Sequence, residues 1–315
     1  MKYFLGILCL ALLAAKVRAQ ICVEETLDCN QPVPTIFKLG DVSCHCNDAA
    51  HAGSIRYANG EVQVCLGTEW KTVQYTSAYG TERNPGYSCK DILDNSAGQQ
   101  LNDGVYWIRL RGRLDGFPVY CQMTTGGWTM VFKIASGVNK RVWDMYRSNT
   151  TSAEFVTAAL DVTNQHQDHY KNRVVLNWDI FNAIQARVSV YKGGVVQKEL
   201  LFNAQETDNL NWFSAGKLIS SSWPNIKTES TNFFGIQGDC HDDDGACRSF
   251  FINKSYDGCN SDYGWIVGAT SNIWCSWETS ATNQYNVLYS KTTSYTNWNT
   301  AANVGVADAM VVFLK

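Results

Sequence analysis

Short apolar runs, about four to eight residues long and rich in β-branched and aromatic residues, recur along the chain and read as strands. They are VYWIRL (105–110), FPVYCQM (117–123), WTMVFKI (128–134), ARVSVYK (186–192), VVQKELLF (195–202) and MVVFLK (310–315). Nearer the N-terminus, Ile55 and Tyr57 precede an Asn59-Gly60 pair, and Val62 and Val64 alternate after it. That pattern predicts a hairpin with a two-residue turn. Helical periodicity is scarce. The best candidate is TSAEFVTAAL (151–160), with Phe155, Val156 and Leu160 as its apolar face. Between 205 and 300, Asn, Ser, Thr, Gly and Trp crowd together with little periodicity. This stretch reads as long ordered loops held by disulfides and buried tryptophans. The fold class expected is α+β, with an antiparallel sheet and a loop-rich, disulfide-stapled C-terminal half.

The N-terminus predicts secretion. Lys2 precedes an uncharged apolar stretch from Tyr3 to Ala15, and Val17-Arg18-Ala19 places small residues for signal peptidase, so Gln20 is the expected mature start. The apolar stretch is shorter than the ~20 residues a membrane helix needs. Polar TSAYGTERNPGYS, with Pro85 and Gly86, marks a second boundary. The expected organisation is a signal peptide at 1–19, a small Cys-rich β module at 20–80 and a larger domain at 84–315. A module of such size has a marginal core without staples, which accounts for its cysteine density.

Composition narrows the function classes. Of 315 residues, 17% are charged, below the roughly 25% of ordinary domains, and 45% are hydrophobic, so the chain can build a core. A formal charge of −3 provides no basic field for nucleic acid or anionic membranes. The 24 glycines have no triplet period, which excludes a collagen stem. Loss of Lys2, Lys16 and Arg18 with the leader leaves 23 basic against 29 acidic residues, a charge of −6. Loss of Cys9 leaves 11 of the 12 cysteines, an odd number. One thiol then stays free or bonds another chain, and Cys22, near the mature start, is the candidate for a disulfide-linked homo-oligomer.

One segment is more specific than these patterns. Tyr87-Ser88-Cys89-Lys90-Asp91-Ile92 is followed by Asp103-Gly104-Val105-Tyr106-Trp107-Ile108. Then come Phe117-Pro118-Val119-Tyr120-Cys121-Gln122-Met123 and Gly126-Gly127-Trp128-Thr129-Met130-Val131. In order and spacing this resembles the opening of a fibrinogen-related domain. The C-terminal stretch GIQGDCHDDDGACRSFFINKSYDGC…GWIVG…CSW resembles a divergent branch of such domains, found in cnidarian secreted proteins that include skeletal organic matrix proteins of stony corals. The resemblance implies a bridge from Cys89 to Cys121 and another from Cys247 to Cys259, which leaves Cys240 for Cys275. It also implies a calcium loop at Asp239, Asp242, Asp243 and Asp244. Clustered carboxylates suit the hard oxygen coordination of calcium, although the spacing is not that of an EF-hand.

Other candidate chemistry is weaker. Cys44-His45-Cys46 and the two cysteines with a histidine in CHDDDGAC could suggest zinc, but in a secreted chain disulfides are the expected fate of such thiols. His166 and His169, with Asp168 nearby, lack a distant third ligand and read as a polar surface loop. Asn149-Thr150-Thr151 and Asn253-Lys254-Ser255 are N-glycosylation sequons. Trp265, Trp274, Trp277 and Trp298 read as core, with an aromatic ligand pocket as the alternative. No His-Glu-x-x-His, Gly-x-Ser-x-Gly or phosphate-cradling motif is present, and no enzymatic activity is expected. The sequence therefore points to a secreted, non-enzymatic extracellular or skeletal matrix protein whose partners are matrix, glycan or a mineral surface, with calcium as the expected ion. Calcium-dependent lectin-like recognition of glycan or acetylated ligands is the alternative.

Overall fold

A computed structural model describes residues 45–315 except 48, 50–51, 59, 74–77, 241–244, 270–274 and 279–285. The chain divides at Thr76/Ser77 into two compact units.

In the first unit, β1 (Ile55–Ala58), β2 (Glu61–Cys65) and β3 (Trp70–Thr72) form a three-stranded antiparallel sheet in that order. Tyr57 faces Val62 and Ile55 faces Val64, the register of the predicted hairpin. Gly60 supplies the left-handed backbone of its turn, at φ +81°. Cys65 is fully buried and bonds Cys46, so a covalent staple stands where so small a sheet has little apolar core. Cys22 and Cys44 lie outside the described residues.

The second unit holds two larger sheets. In chain order, β4 (Gly104–Ile108), β5 (Phe117–Gln122), β6 (Trp128–Ala135), β7 (Tyr170–Lys171), β8 (Gln185–Lys192), β9 (Val195–Asn203) and β10 (Leu218–Ser221) belong to one. The strands β11 (Phe233–Cys240), β12 (Cys247–Tyr256), β13 (Asp262–Gly268), β14 (Val287–Ser290), β15 (Thr296–Asn297) and β16 (Val304–Val306) form the other. The last strand, β17 (Ala309–Leu314), returns to the first sheet and inserts between β6 and β8, giving the order β10-β9-β8-β17-β6-β5-β4 with β7 beside β6. Every residue of β6 and β17 is buried, as central strands covered on both faces require. The pairings are antiparallel, and the fold is α+β with few helices.

Three short helices complete the unit: α1 (Cys89–Asp94), α2 (Val142–Arg147) and α3 (Trp178–Phe181). Ser88 caps α1, its hydroxyl accepting the Asp91 N–H at 3.0 Å. The bridge Cys89–Cys121 ties α1 to β5. Gly127, at φ +78°, lets the start of β6 pass beneath α1, because a Cβ there would fall 2.6 Å from the Lys90 Cα. At the other end of α2, Lys171 Nζ donates to the carbonyls of Met145, Tyr146 and Ser148 at 3.0, 2.7 and 2.6 Å, satisfying groups the helix leaves open. Phe132 of β6, Tyr146 of α2 and Phe250 of β12 meet in edge and stacked contacts 4.8–5.5 Å apart, so one aromatic core serves both sheets.

Three expectations require correction. The segment 151–160 is not a helix; only Thr157–Ala159 makes a 3-10 turn, and Phe155 and Val156 are exposed while Leu160 is buried. Ser152 exchanges backbone bonds with Lys171, and buried Glu154 takes the guanidinium of Arg173 at 2.7 Å. These tertiary partners outweigh a weak local propensity. Next, the stretch read as loops carries β10 of the first sheet and β11 to β15 of the second. Its strands bulge, with register shifts in both β11–β12 and β12–β13, which destroys the alternation a sequence reading relies on. Finally, the bridges Cys247–Cys259 and Cys240–Cys275 do not form. The structure joins Cys240 to Cys247 and Cys259 to Cys275. The register of β11 with β12 sets Cys240 directly opposite Cys247, which leaves Cys259 and Cys275, with Cα atoms 5.2 Å apart, to each other.

Candidate functional site

The second sheet buries one cation between two carboxylates. Arg248 follows Cys247 on β12, and its side chain is 3% exposed. Nη1 lies 3.1 Å from Asp262 Oδ2, at the start of β13, and Nη2 lies 2.7 Å from Glu278 Oε1. The ring of Trp277 covers the guanidinium at 4.8 Å. The second Asp262 oxygen accepts the Asn253 amide at 2.8 Å, and Asn253 Oδ1 accepts the Trp298 indole N–H at 3.3 Å. Burial holds the Asp262 and Glu278 carboxyls above their ordinary range, against the pull of Arg248. A buried cation flanked by two carboxylates is costly to assemble, and its geometry is correspondingly fixed.

Two disulfides frame this cluster. Cys240–Cys247 closes the base of the connection between β11 and β12. Cys259–Cys275 fastens the turn after β12 to the turn that carries Trp277 and Glu278. Asp239 sits half-buried on β11, and its charge reaches Asp262. Asp242, Asp243 and Asp244 lie outside the described residues. Among the described residues, no group of three His, Cys, Asp or Glu side chains is arranged to hold a metal ion.

Trp277 and Trp298 stack with centroids 5.4 Å apart, and beside them opens a cavity of about 290 Å³. Leu288, Val304 and Val306 give it an apolar floor, and Ser276 and Asn299 stand at its polar rim. Such a cavity suits a small group with an apolar end and a hydrogen-bonding end. Of the other tryptophans singled out by sequence, Trp265 is fully buried in β13 and donates to Asn225 Oδ1 at 3.2 Å, while Trp274 lies outside the described residues.

The remaining sequence candidates separate cleanly. His169 is buried, its Nδ1 accepting the Ala135 N–H at 3.2 Å and its Nε2 3.3 Å from the Lys140 carbonyl. Asp168 pairs with Lys140 at 2.6 Å, and His166 is half-buried. The surface-loop reading is therefore wrong for His169, which is a neutral core residue. Asn149 is exposed just beyond α2. Asn253 is fully buried and engaged on both sides of its amide, so in the folded sheet it acts as a structural residue. Sequence reasoning missed the Arg248 cluster. A lone arginine between a cysteine and the apolar run SFFI was the available signal, because a charge in a buried strand requires partners.

Comparison with known proteins gives two matches. The family model of the fibrillar collagen C-terminal domain matches residues 61–242. Among solved structures, the chain is similar to lamprey fibrin D-dimer complexed with the peptide Gly-His-Arg-Pro-amide, at 14% identity and a TM-score of 0.35, over 78% of this chain and 77% of that one.

Proposed function

Because the chain belongs to the fibrillar collagen C-terminal domain family, we propose that it is a secreted component of extracellular matrix whose larger unit is the binding module. Domains of this fibrinogen-like kind are non-enzymatic and bind extracellular ligands. No helix among the described residues is long and apolar enough to cross a membrane.

The family match carries this reading, and the four disulfides among the described residues agree with an oxidising compartment. Skeletal matrix is the setting we favour. The expected mature charge of −6 is mild, so contact with mineral would depend on a local site, not on bulk charge. That site is Asp239 with Asp242, Asp243 and Asp244, on a connection whose base Cys240–Cys247 closes. Calcium titration of the secreted protein by calorimetry tests it. Saturable binding that disappears in D242N/D243N/D244N supports the reading, and identical heats in both proteins defeat it.

A second reading, lectin-like recognition of acetylated or glycan ligands, is favoured by the cavity beside Trp277 and Trp298. Calcium-dependent retention on an N-acetylated resin would select it. Recovery from demineralised matrix regardless of calcium would select the structural role.

A further inference from the structure

The connection between β4 and β5 carries an unusual charge pattern for an acidic chain. Arg109, Arg111 and Arg113 alternate within Arg109-Leu110-Arg111-Gly112-Arg113. Leu110 is buried and anchors the segment, the Arg113 N–H returns to the Leu110 carbonyl at 3.0 Å, and Gly112 takes φ +76°, so Arg111 and Arg113 share one tight turn that Arg109 immediately precedes. Arg111 and Arg113 are exposed.

The turn is fixed against the segment before α1. The Arg109 N–H donates to the Gly86 carbonyl at 2.8 Å, and the Gly86 N–H donates to the Trp107 carbonyl at 3.1 Å. This brings two cations to the Tyr87 ring, whose hydroxyl accepts from Arg109 Nη2 at 3.4 Å. The Arg109 guanidinium carbon lies 5.3 Å and that of Arg111 4.6 Å from the ring centroid. Two like charges thus converge on one aromatic ring. Cation–π attraction to the ring offsets part of their repulsion.

Among the described residues, no carboxylate closes the cluster. Among the described residues, none of the three arginines forms an ion pair within 4.0 Å. Arg113 lies in the field of Asp115, but Asp115 is engaged by Arg173. Nearby Asp91 accepts from the Tyr79 hydroxyl and the Tyr87 N–H. The Arg109 Nε is sealed from solvent without an acceptor. Planar guanidinium forks bind carboxylate, sulfate and phosphate oxygens in paired hydrogen bonds, and regularly spaced arginines suit a ligand that carries its anions in series.

We propose that the Arg109–Arg113 turn, backed by Tyr87, is a binding site for sulfated polysaccharide. It stands on the first sheet and is independent of the calcium and cavity readings of the second.

Binding of the full-length secreted protein to immobilised heparin tests it, with chemically desulfated heparin, polyglutamate and phosphatidylserine vesicles as competitors. Counterion release makes affinity fall as salt rises, and R111A/R113A is expected to bind about tenfold more weakly with a shallower salt dependence. Exposed Lys291 changed to Ala is expected to leave binding unchanged. Each single variant, R111A or R113A, should fall between wild type and the double variant, with an unchanged thermal melt. Equal affinity of wild type and R111A/R113A would overturn the proposal. So would an equal loss in K291A, or competition by desulfated heparin, polyglutamate or vesicles as strong as that of heparin.

Discussion

The amide of Asn253 donates to Asp262 Oδ1 at 2.8 Å, and both side chains are sealed from solvent. A sequon asparagine in that position has no free amide to present to a glycosyltransferase once the sheet has formed. Asn149 is exposed beyond α2 and does. Glycopeptide mass mapping of the secreted protein is expected to find glycan at Asn149 alone. N149Q should remove all N-linked mass, and Ser255→Ala should remove none. Glycan on Asn253 in folded protein would contradict the buried pairing.

Removing Arg248 should be the most damaging single change in the second sheet. Its guanidinium compensates Asp262 at 3.1 Å and Glu278 at 2.7 Å, both in buried positions. R248A leaves two carboxylates without their cation and is expected to cost about 3–5 kcal/mol in chemical denaturation. The pH dependence carries a sign. Without the cation, burial raises both carboxyl pKa values further, so the folded variant binds protons that the unfolded chain releases. The deficit should therefore widen as pH rises from the carboxylate range toward neutral. A loss under 1 kcal/mol would mean that the cluster is not the organising element of this sheet.

His169 sets a second pH dependence, of opposite sign. Burial pushes its imidazole from 6.5 down to about 4. Between those values the unfolded chain takes up a proton that the folded chain refuses, so stability falls as pH drops through the window. The contribution between pH 7 and 4.5 is about 2 kcal/mol. H169Q keeps a hydrogen-bonding side chain but has no titration there. Urea melts at the two pH values should show a drop smaller by that amount in H169Q, and parallel drops would rule out His169 as the source.

How much of this was legible follows the burial pattern. Strands of the first sheet announced themselves because β17 is apolar throughout and β6 is interrupted only by Thr129 and Lys133. The second sheet hid itself because Ser249, Asn253 and Asp262 are polar residues satisfied inside it, and bulges break its period. Disulfide pairing within it depended on the register that sets Cys240 against Cys247, which no spacing encodes. The partners of Arg248 lie 14 and 30 positions away, so the cluster had no local signature beyond the arginine itself. Trp277 and Trp298 were legible as candidates, and their stacking is what only the fold supplies.

The cysteine count yields the last prediction. Four bridges use eight cysteines: Cys46 with Cys65, Cys89 with Cys121, Cys240 with Cys247 and Cys259 with Cys275. Cleavage after Ala19 would remove Cys9, leaving Cys22, Cys29 and Cys44. Three thiols close at most one bridge among themselves, and an exposed leftover thiol in an oxidising compartment is readily captured by a second chain. The secreted protein is therefore expected to migrate as a covalent dimer or larger species without reductant and as a monomer with it. Cys22→Ser should give the monomer in both conditions if the link is at the mature start. Peptide mapping that finds one alkylatable thiol per monomeric chain would remove the crosslink and leave assembly to non-covalent contacts.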